Sequence, residues 1–168
     1  MENDKPLPHV DVDSLTYLTP RQKKNLQSWI DLQEVLNAGE FDEKMDAFFH
    51  PDMTYGNPSR PDLGSYREWK ESPRQLYRVF PPSRYRVVDA VGKGDDEIWV
   101  YCEHMGEHVG GRYMGVEPTG NPIKVEWFSV VTFKDGLIYR IFSIADVLTM
   151  LIQVGVVEPS ALPVDPYK

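Results

Sequence analysis

One cysteine, Cys102, occurs in 168 residues, which excludes an internal disulfide and a cysteine-only metal site. Positive charge is also scarce: 18 Lys and Arg stand against 26 Asp and Glu, giving a formal net charge of −8. Nucleic-acid binding shows as a basic stripe, and the cluster Arg21-Gln22-Lys23-Lys24 reads instead as a solvated helix face. No apolar run approaches the roughly 20 residues of a membrane-spanning helix. The opening MENDKPLPH contains no apolar stretch, so neither signal peptide nor anchor is expected, and a reducing cytoplasm is the default compartment. The glycines at 106, 110, 111 and 115 do not form G-x-G-x-x-G and sit in a strand setting, which argues against a nucleotide site. No Ser-His-Asp or Cys-His arrangement and no internal repeat stands out.

The composition is that of an ordinary globular chain, 41% hydrophobic and 26% charged, and its length predicts one domain. Residues 1–18 mix prolines and acids without periodicity and read as an extended arm; 157–168 read as a proline-rich tail, and 19–156 as the domain. Thr19-Pro20 is a helix start. Leu26, Trp29, Ile30, Leu32, Gln33 and Leu36 follow at helical spacing, and Gly39 stops the run. A short second helix is predicted over "FDEKMDAFF" and a short strand over "MTYGNP". Ser65 caps a third helix, with a break or kink expected at Ser72-Pro73. From Arg84 the chain turns β-branched and aromatic, punctuated by Gly-Lys-Gly-Asp and Lys-Asp-Gly turns, before a last helix after Asp146. Helices first, then a meander of strands, is an α+β order. Its predicted form is a cone in which a curved antiparallel sheet and three to four helices enclose a cavity.

Residues 111–155 carry Gly115, Pro118-Thr119-Gly120, the Lys134-Asp135-Gly136 turn, Ile138, Asp146, Leu151 and Gln153-x-Gly155. This segment resembles the SnoaL-like polyketide cyclases of the NTF2-like superfamily. The opening helix–Gly39–Glu40-Phe41–helix–Phe49-His50-Pro51-Asp52 suits the same fold, and the resemblance covers about residues 20–156. It implies a cofactor-free cyclase or isomerase acting on a hydrophobic polyketide-like carbonyl compound. A homodimer through the outer sheet face is expected as well, because Ile123, Val125, Trp127, Val131 and Phe133 share one face of their strand while Phe128 and Val130 leave the other apolar. Three positions depart from the family pattern. Phe142 stands where tryptophan is usual, the stretch after His108 is one residue longer, and the strand histidine fourteen before the aspartate falls on Thr132.

Alternation along the last strand puts Ile138, Arg140, Phe142, Ile144 and Asp146 on one face, which the resemblance makes a cavity wall. Asp146 is then either the cap of the next helix or the general base, and the two roles are compatible. In the second case Leu148, Leu151 and Ile152 would face inward and screen the carboxylate. His104 and His108 have the H-x-x-x-H spacing of a helical metal site, but on a strand they lie about 13 Å apart, so no metal or other cofactor is expected. His108, within Gly106-x-His108-x-Gly110, is the one expected to face the pocket, with His104 a further wall residue. Tyr55 and Asn57 share one side of a strand, and Tyr-x-Asn here resembles the limonene-epoxide hydrolases. Their Arg-x-Asp pair is missing from Arg112-Tyr113-Met114, with Glu103 or Glu107 as the substitutes to consider. The expected wall includes Trp69, Tyr77, Phe80 and Tyr101, together with Phe128, Phe142 and Met150. Two alternatives to the cyclase remain at this stage: water addition to an epoxide, and a non-catalytic small-molecule binding module.

Overall fold

The Thr19 hydroxyl accepts the Gln22 N–H while the Gln22 side chain accepts the Thr19 N–H, and Pro20 fills the first helical position. This reciprocal cap starts helix α1 (Pro20–Asn37). The computed structural model describes residues 8–159. A short α2 (Glu43–Asp46) follows. A second capping box, Ser65 with Glu68, starts α3 (Tyr66–Val79). No break occurs at Ser72-Pro73, and Pro73 lies inside a continuous helix. An interior proline costs about 3 kcal/mol, but Pro73 and Trp69 are buried on this helix, and that packing holds it together.

The strands β1 (Phe49–Gly56), β2 (Arg84–Lys93), β3 (Glu97–Glu107), β4 (Pro122–Lys134) and β5 (Leu137–Ala145) form one sheet of order β1-β5-β4-β3-β2. The sheet is curved and unclosed. Strands β2 to β5 are the predicted antiparallel meander. Strand β1 instead pairs with β5 in parallel, so the sheet is mixed rather than wholly antiparallel. The β4–β5 turn puts Asp135 and Gly136 both at positive φ, 53° and 80°, as a two-residue hairpin of this hand requires. Helix α4 (Val147–Val154) closes on β4 and buries Met150 and Val154.

Two bulges set which side chains face inward. Val88 is the extra residue of β2 between the Val87–Cys102 and Asp89–Tyr101 pairs. Tyr139 is the extra residue of β5 between the Ile138–Phe133 and Arg140–Thr132 pairs. An extra residue reverses the inside-outside order of every residue beyond it. Ile138 is buried, and past the bulge the buried residues are Ile141 and Ser143, while Arg140 and Ile144 are exposed.

The main core lies between α1 and the concave sheet face, and a smaller cluster joins Phe80, Ile123 and Val125 to Met150 and Val154 of α4. The described part of the predicted arm belongs to the domain. Val10 donates to the Val87 carbonyl at 2.9 Å, and Leu15 and Leu18 are buried in the main core. Residues 1–7, and the expected tail from 160 onward, lie outside the described residues. Among the described residues no helix is long and apolar enough to cross a membrane.

Candidate active site

A cavity of about 280 Å³ opens between α1, α3 and the concave sheet face. Trp29, Trp69 and Trp127 form much of its wall, with Tyr55, Tyr85 and Tyr113. Met150 of α4 and Ile141 of β5 extend it. No aspartate or glutamate is among the described lining residues. The ionisable groups on the wall are His104, the tyrosines and Arg60, whose guanidinium pairs with Asp62 at 2.7 Å.

Tyr55 ends β1 and Asn57 begins the loop after it. Asn57 Nδ2 donates to the Tyr55 hydroxyl oxygen at 3.1 Å, and Asn57 Oδ1 accepts the Ser59 N–H at 2.8 Å. The turn chemistry and the cavity face are thus one device, which leaves the Tyr55 O–H free to donate.

His104 is 4% exposed and lies on the wall. Its Nε2 meets Ser83 Oγ at 2.6 Å, and its ring stacks on Tyr85 with centroids 4.4 Å apart. Burial pushes its pKa down to about 3, so the imidazole is neutral and available as a proton acceptor.

His108, the expected pocket histidine, is fully buried but does not line the cavity. Its Nε2 donates to the Gly111 carbonyl at 2.9 Å and its Nδ1 faces the Thr119 hydroxyl at 3.2 Å. It pins the loop that carries Tyr113 and Met114 to the cavity rim. Of the two histidines, His104 is the one that the strand turns inward.

The carboxylate of Asp146 does not enter the cavity. Its Oδ1 accepts the Thr149 N–H at 3.0 Å as the cap of α4, and the side chain is exposed. Hydrogen bonds from Thr149 hold its pKa below the usual carboxylate value. The Tyr139 bulge is the cause: past it Ile141, Ser143 and Ala145 face inward, one residue out of phase with Asp146. Ser143 Oγ lies 2.7 Å from Ser129 Oγ across the β4–β5 pair, both on the wall. Thr132 pairs with Arg140 instead. Leu148 is 47% exposed rather than inward.

Trp69, His104 and Met150 line the cavity as expected, and five expected wall residues do not. Tyr77, in the last turn of α3, packs edge-on against Phe41, and Phe80 fills the smaller core. Tyr101 and Phe128 stack on each other at 4.9 Å on the outer sheet face, because their neighbours Cys102 and Trp127 face inward. Phe142, opposite Val130, also points outward and is the fifth displaced position. Glu103 lies on that outer face beneath Arg86 and Lys124, at 2.6 and 2.9 Å, so it does not replace the missing acid of an Arg-x-Asp pair. Burial pushes the Cys102 thiol up to about 12, which makes it a poor nucleophile. Among the described residues no three His, Cys, Asp or Glu side chains converge as a metal site.

The sequence reading did not single out Gln33, Tyr85, Tyr113, Ser129 or Ser143 as site residues. For Gln33 a signal was present: it interrupts an otherwise apolar helix stripe, four residues after Trp29.

Residues 30–154 match the SnoaL-like polyketide cyclase family. The chain belongs to this family. Among solved structures, the candidate hydroxylase AclR of Streptomyces galilaeus superposes with TM-score 0.72 at 16% identity, covering 84% of this chain and 85% of that one. The candidate polyketide cyclase IdmH of Streptomyces antibioticus gives TM-score 0.69 at 27% identity, covering 78% and 98%. A candidate SnoaL-like polyketide cyclase of Jannaschia sp. CCS1 gives 0.69 at 19%, covering 87% and 98%. Comparison with curated proteins gives no match. The family fold is therefore NTF2-like, with the cavity on the concave side of its sheet.

Proposed function

We propose that this SnoaL-like protein is a cofactor-free cyclase or isomerase of a hydrophobic, polyketide-like carbonyl compound, with His104 as its proton acceptor. The observation that carries this reading is a neutral imidazole on an apolar wall without carboxylates. With Nε2–H donating to Ser83, Nδ1 is left to take a proton from the carbon beside a substrate carbonyl. An imidazole whose pKa is low in the free protein becomes more basic as the enolate forms beside it, since the two charges stabilise each other. The Tyr55 hydroxyl is the donor for developing oxyanion charge, oriented by Asn57, and such a donor contributes about 3–4 kcal/mol. The enolate carbon then attacks a second carbonyl of the folded substrate, and the resulting alkoxide takes the proton back from His104. Holding the reacting carbons together supplies roughly 7–11 kcal/mol of the barrier reduction.

The test compares His104→Gln with Asp146→Asn on cyclisation of a polycarbonyl substrate followed by absorbance. Turnover should fall about 100-fold or more in the first and stay unchanged in the second. The opposite result would return the base to Asp146. No turnover above the protein-free rate in wild type and both variants would favour the binding-module reading, which a wall without a carboxylate among the described residues also supports. Epoxide hydrolysis retains only the Tyr55–Asn57 pair here and lacks its acid. We further propose a homodimer through the outer sheet face, where Trp99, Phe128 and Ile144 are 46%, 60% and 58% exposed.

A further inference from the structure

This inference rests on the cavity being a receptor for an oxygenated hydrophobic compound. Helix α1 directs several amide side chains at the sheet, and they are treated differently. Gln22 donates to the Gly94 carbonyl at 2.6 Å, Asn25 to Asp95 at 3.3 Å, and Asn37 to Tyr85 at 3.0 Å. Gln33 is 2% exposed and lies on the cavity wall, and no hydrogen bond to its carboxamide is seen among the described residues; Trp29 Nε1 and Tyr85 Oη on the same wall are the fully buried side-chain atoms there without a partner. A buried amide without partners is unfavourable, so an unpartnered one facing a cavity marks a place where something binds.

Helical geometry fixes what Gln33 faces. Trp29, one turn earlier, lies beside Cys102 of β3. Asn37, one turn later, holds both the N–H and the carbonyl of Tyr85. His104 is two residues beyond Cys102 on the same strand and is the cross-strand partner of Tyr85. Gln33 therefore sits over the Tyr85–His104 row. His104 Nδ1 also has no partner among the described residues, since Ser83 holds Nε2. A free N–H donor and a free nitrogen acceptor thus share one end of the cavity.

We propose that Gln33 anchors a substrate carbonyl oxygen at this end, and that the substrate is an uncharged cyclic ketone whose carbonyl enters first. The Gln33 N–H donates to the oxygen, and the adjacent C–H is presented to His104. The row holds no carboxylate and no cationic side chain to pair with a charged ligand; Arg60 is on a loop and already bound to Asp62. In the reaction proposed above, the same N–H meets the first carbonyl oxygen as it becomes an enolate, and the Tyr55 hydroxyl serves the alkoxide that forms at the second carbonyl.

A matched pair of bicyclic probes tests this: 1-tetralone and its carbonyl-free counterpart tetralin, titrated against wild type and Gln33→Leu by fluorescence of the wall tryptophans. Wild type should bind 1-tetralone about 3- to 10-fold more tightly than tetralin, the size of one neutral hydrogen bond. Gln33→Leu should bind the two alike and melt no lower than wild type, because an unpartnered buried amide has been replaced by an apolar group. A preference for the ketone that survives in Gln33→Leu would overturn the assignment. So would a lower melting temperature with the preference intact, which marks a purely structural glutamine. Equal binding of both probes by wild type would remove the carbonyl anchor while leaving the cavity as a receptor. Binding of neither would overturn the receptor reading and this inference with it.

Discussion

The buried neutral state of His104 ties stability to pH with a definite sign. Its folded pKa is pushed down to about 3, while an unfolded histidine titrates near 6.5. Between these values the unfolded chain binds more protons, so stability is full above about pH 6.5 and is lost as pH falls toward 3. The linkage amounts to about 2 kcal/mol lost by pH 5 and about 4 kcal/mol by pH 3. At 4% exposure the side chain has little solvent to weaken this effect. The assay is urea unfolding of wild type and His104→Gln at pH 7 and pH 5. Glutamine cannot titrate, and its amide can still meet Ser83. Wild type should lose about 2 kcal/mol more than the variant between the two pH values. Contributions from other titrating groups cancel in that difference. Equal losses would show that His104 is solvated or paired when folded, and would remove the reason for treating it as a neutral acceptor.

The cap at Asp146 predicts that Asp146→Ala lowers stability by about 1 kcal/mol while Asp146→Asn is nearly silent; equal loss in both, by urea unfolding, would refute the cap. A Cβ at Gly110 would lie 1.8 Å from the Arg78 carbonyl oxygen, whereas one at Gly111 meets nothing within 4 Å. Gly110→Ala should therefore cost about 1–3 kcal/mol and Gly111→Ala almost nothing, and equal melting temperatures would show that the loop yields freely. Phe128→Lys should shift the proposed dimer to monomer in light scattering, and an unchanged mass would place any interface elsewhere.

The parts of the fold that the sequence makes legible are those with local causes. The caps at Thr19 and Ser65, the hairpin at Asp135-Gly136 and the alternation of β4 from Ile123 to Phe133 each rest on a few neighbouring residues. The break expected at Pro73 did not occur because local propensity was outweighed by burial against the cavity. The parallel pairing of β1 was also hidden, since it joins segments about 90 residues apart and no periodicity reports it. Leu15 and Leu18 lie in a stretch without repeat, yet both are buried in the core.

The site was half legible for a related reason. Tyr55 and Asn57 reach the wall together because two residues suffice to define their side. Asp146 does not, because its predicted face was counted from Ile138 across Tyr139, and one unpaired residue there reverses the order. A bulge has no reliable signature in a single sequence: Tyr139 is as good a strand residue as its neighbours. Counting back from the helix start instead puts Ser143 and Ser129 on the wall, a hydroxyl pair in place of a charged one. A wall without a carboxylate suits a neutral ketone, which needs no counter-ion. In the proposed reaction it also assigns proton transfer to a histidine that burial keeps neutral. The same parity that removes Asp146 from the cavity thus leaves His104 as the proton acceptor of the proposed reaction.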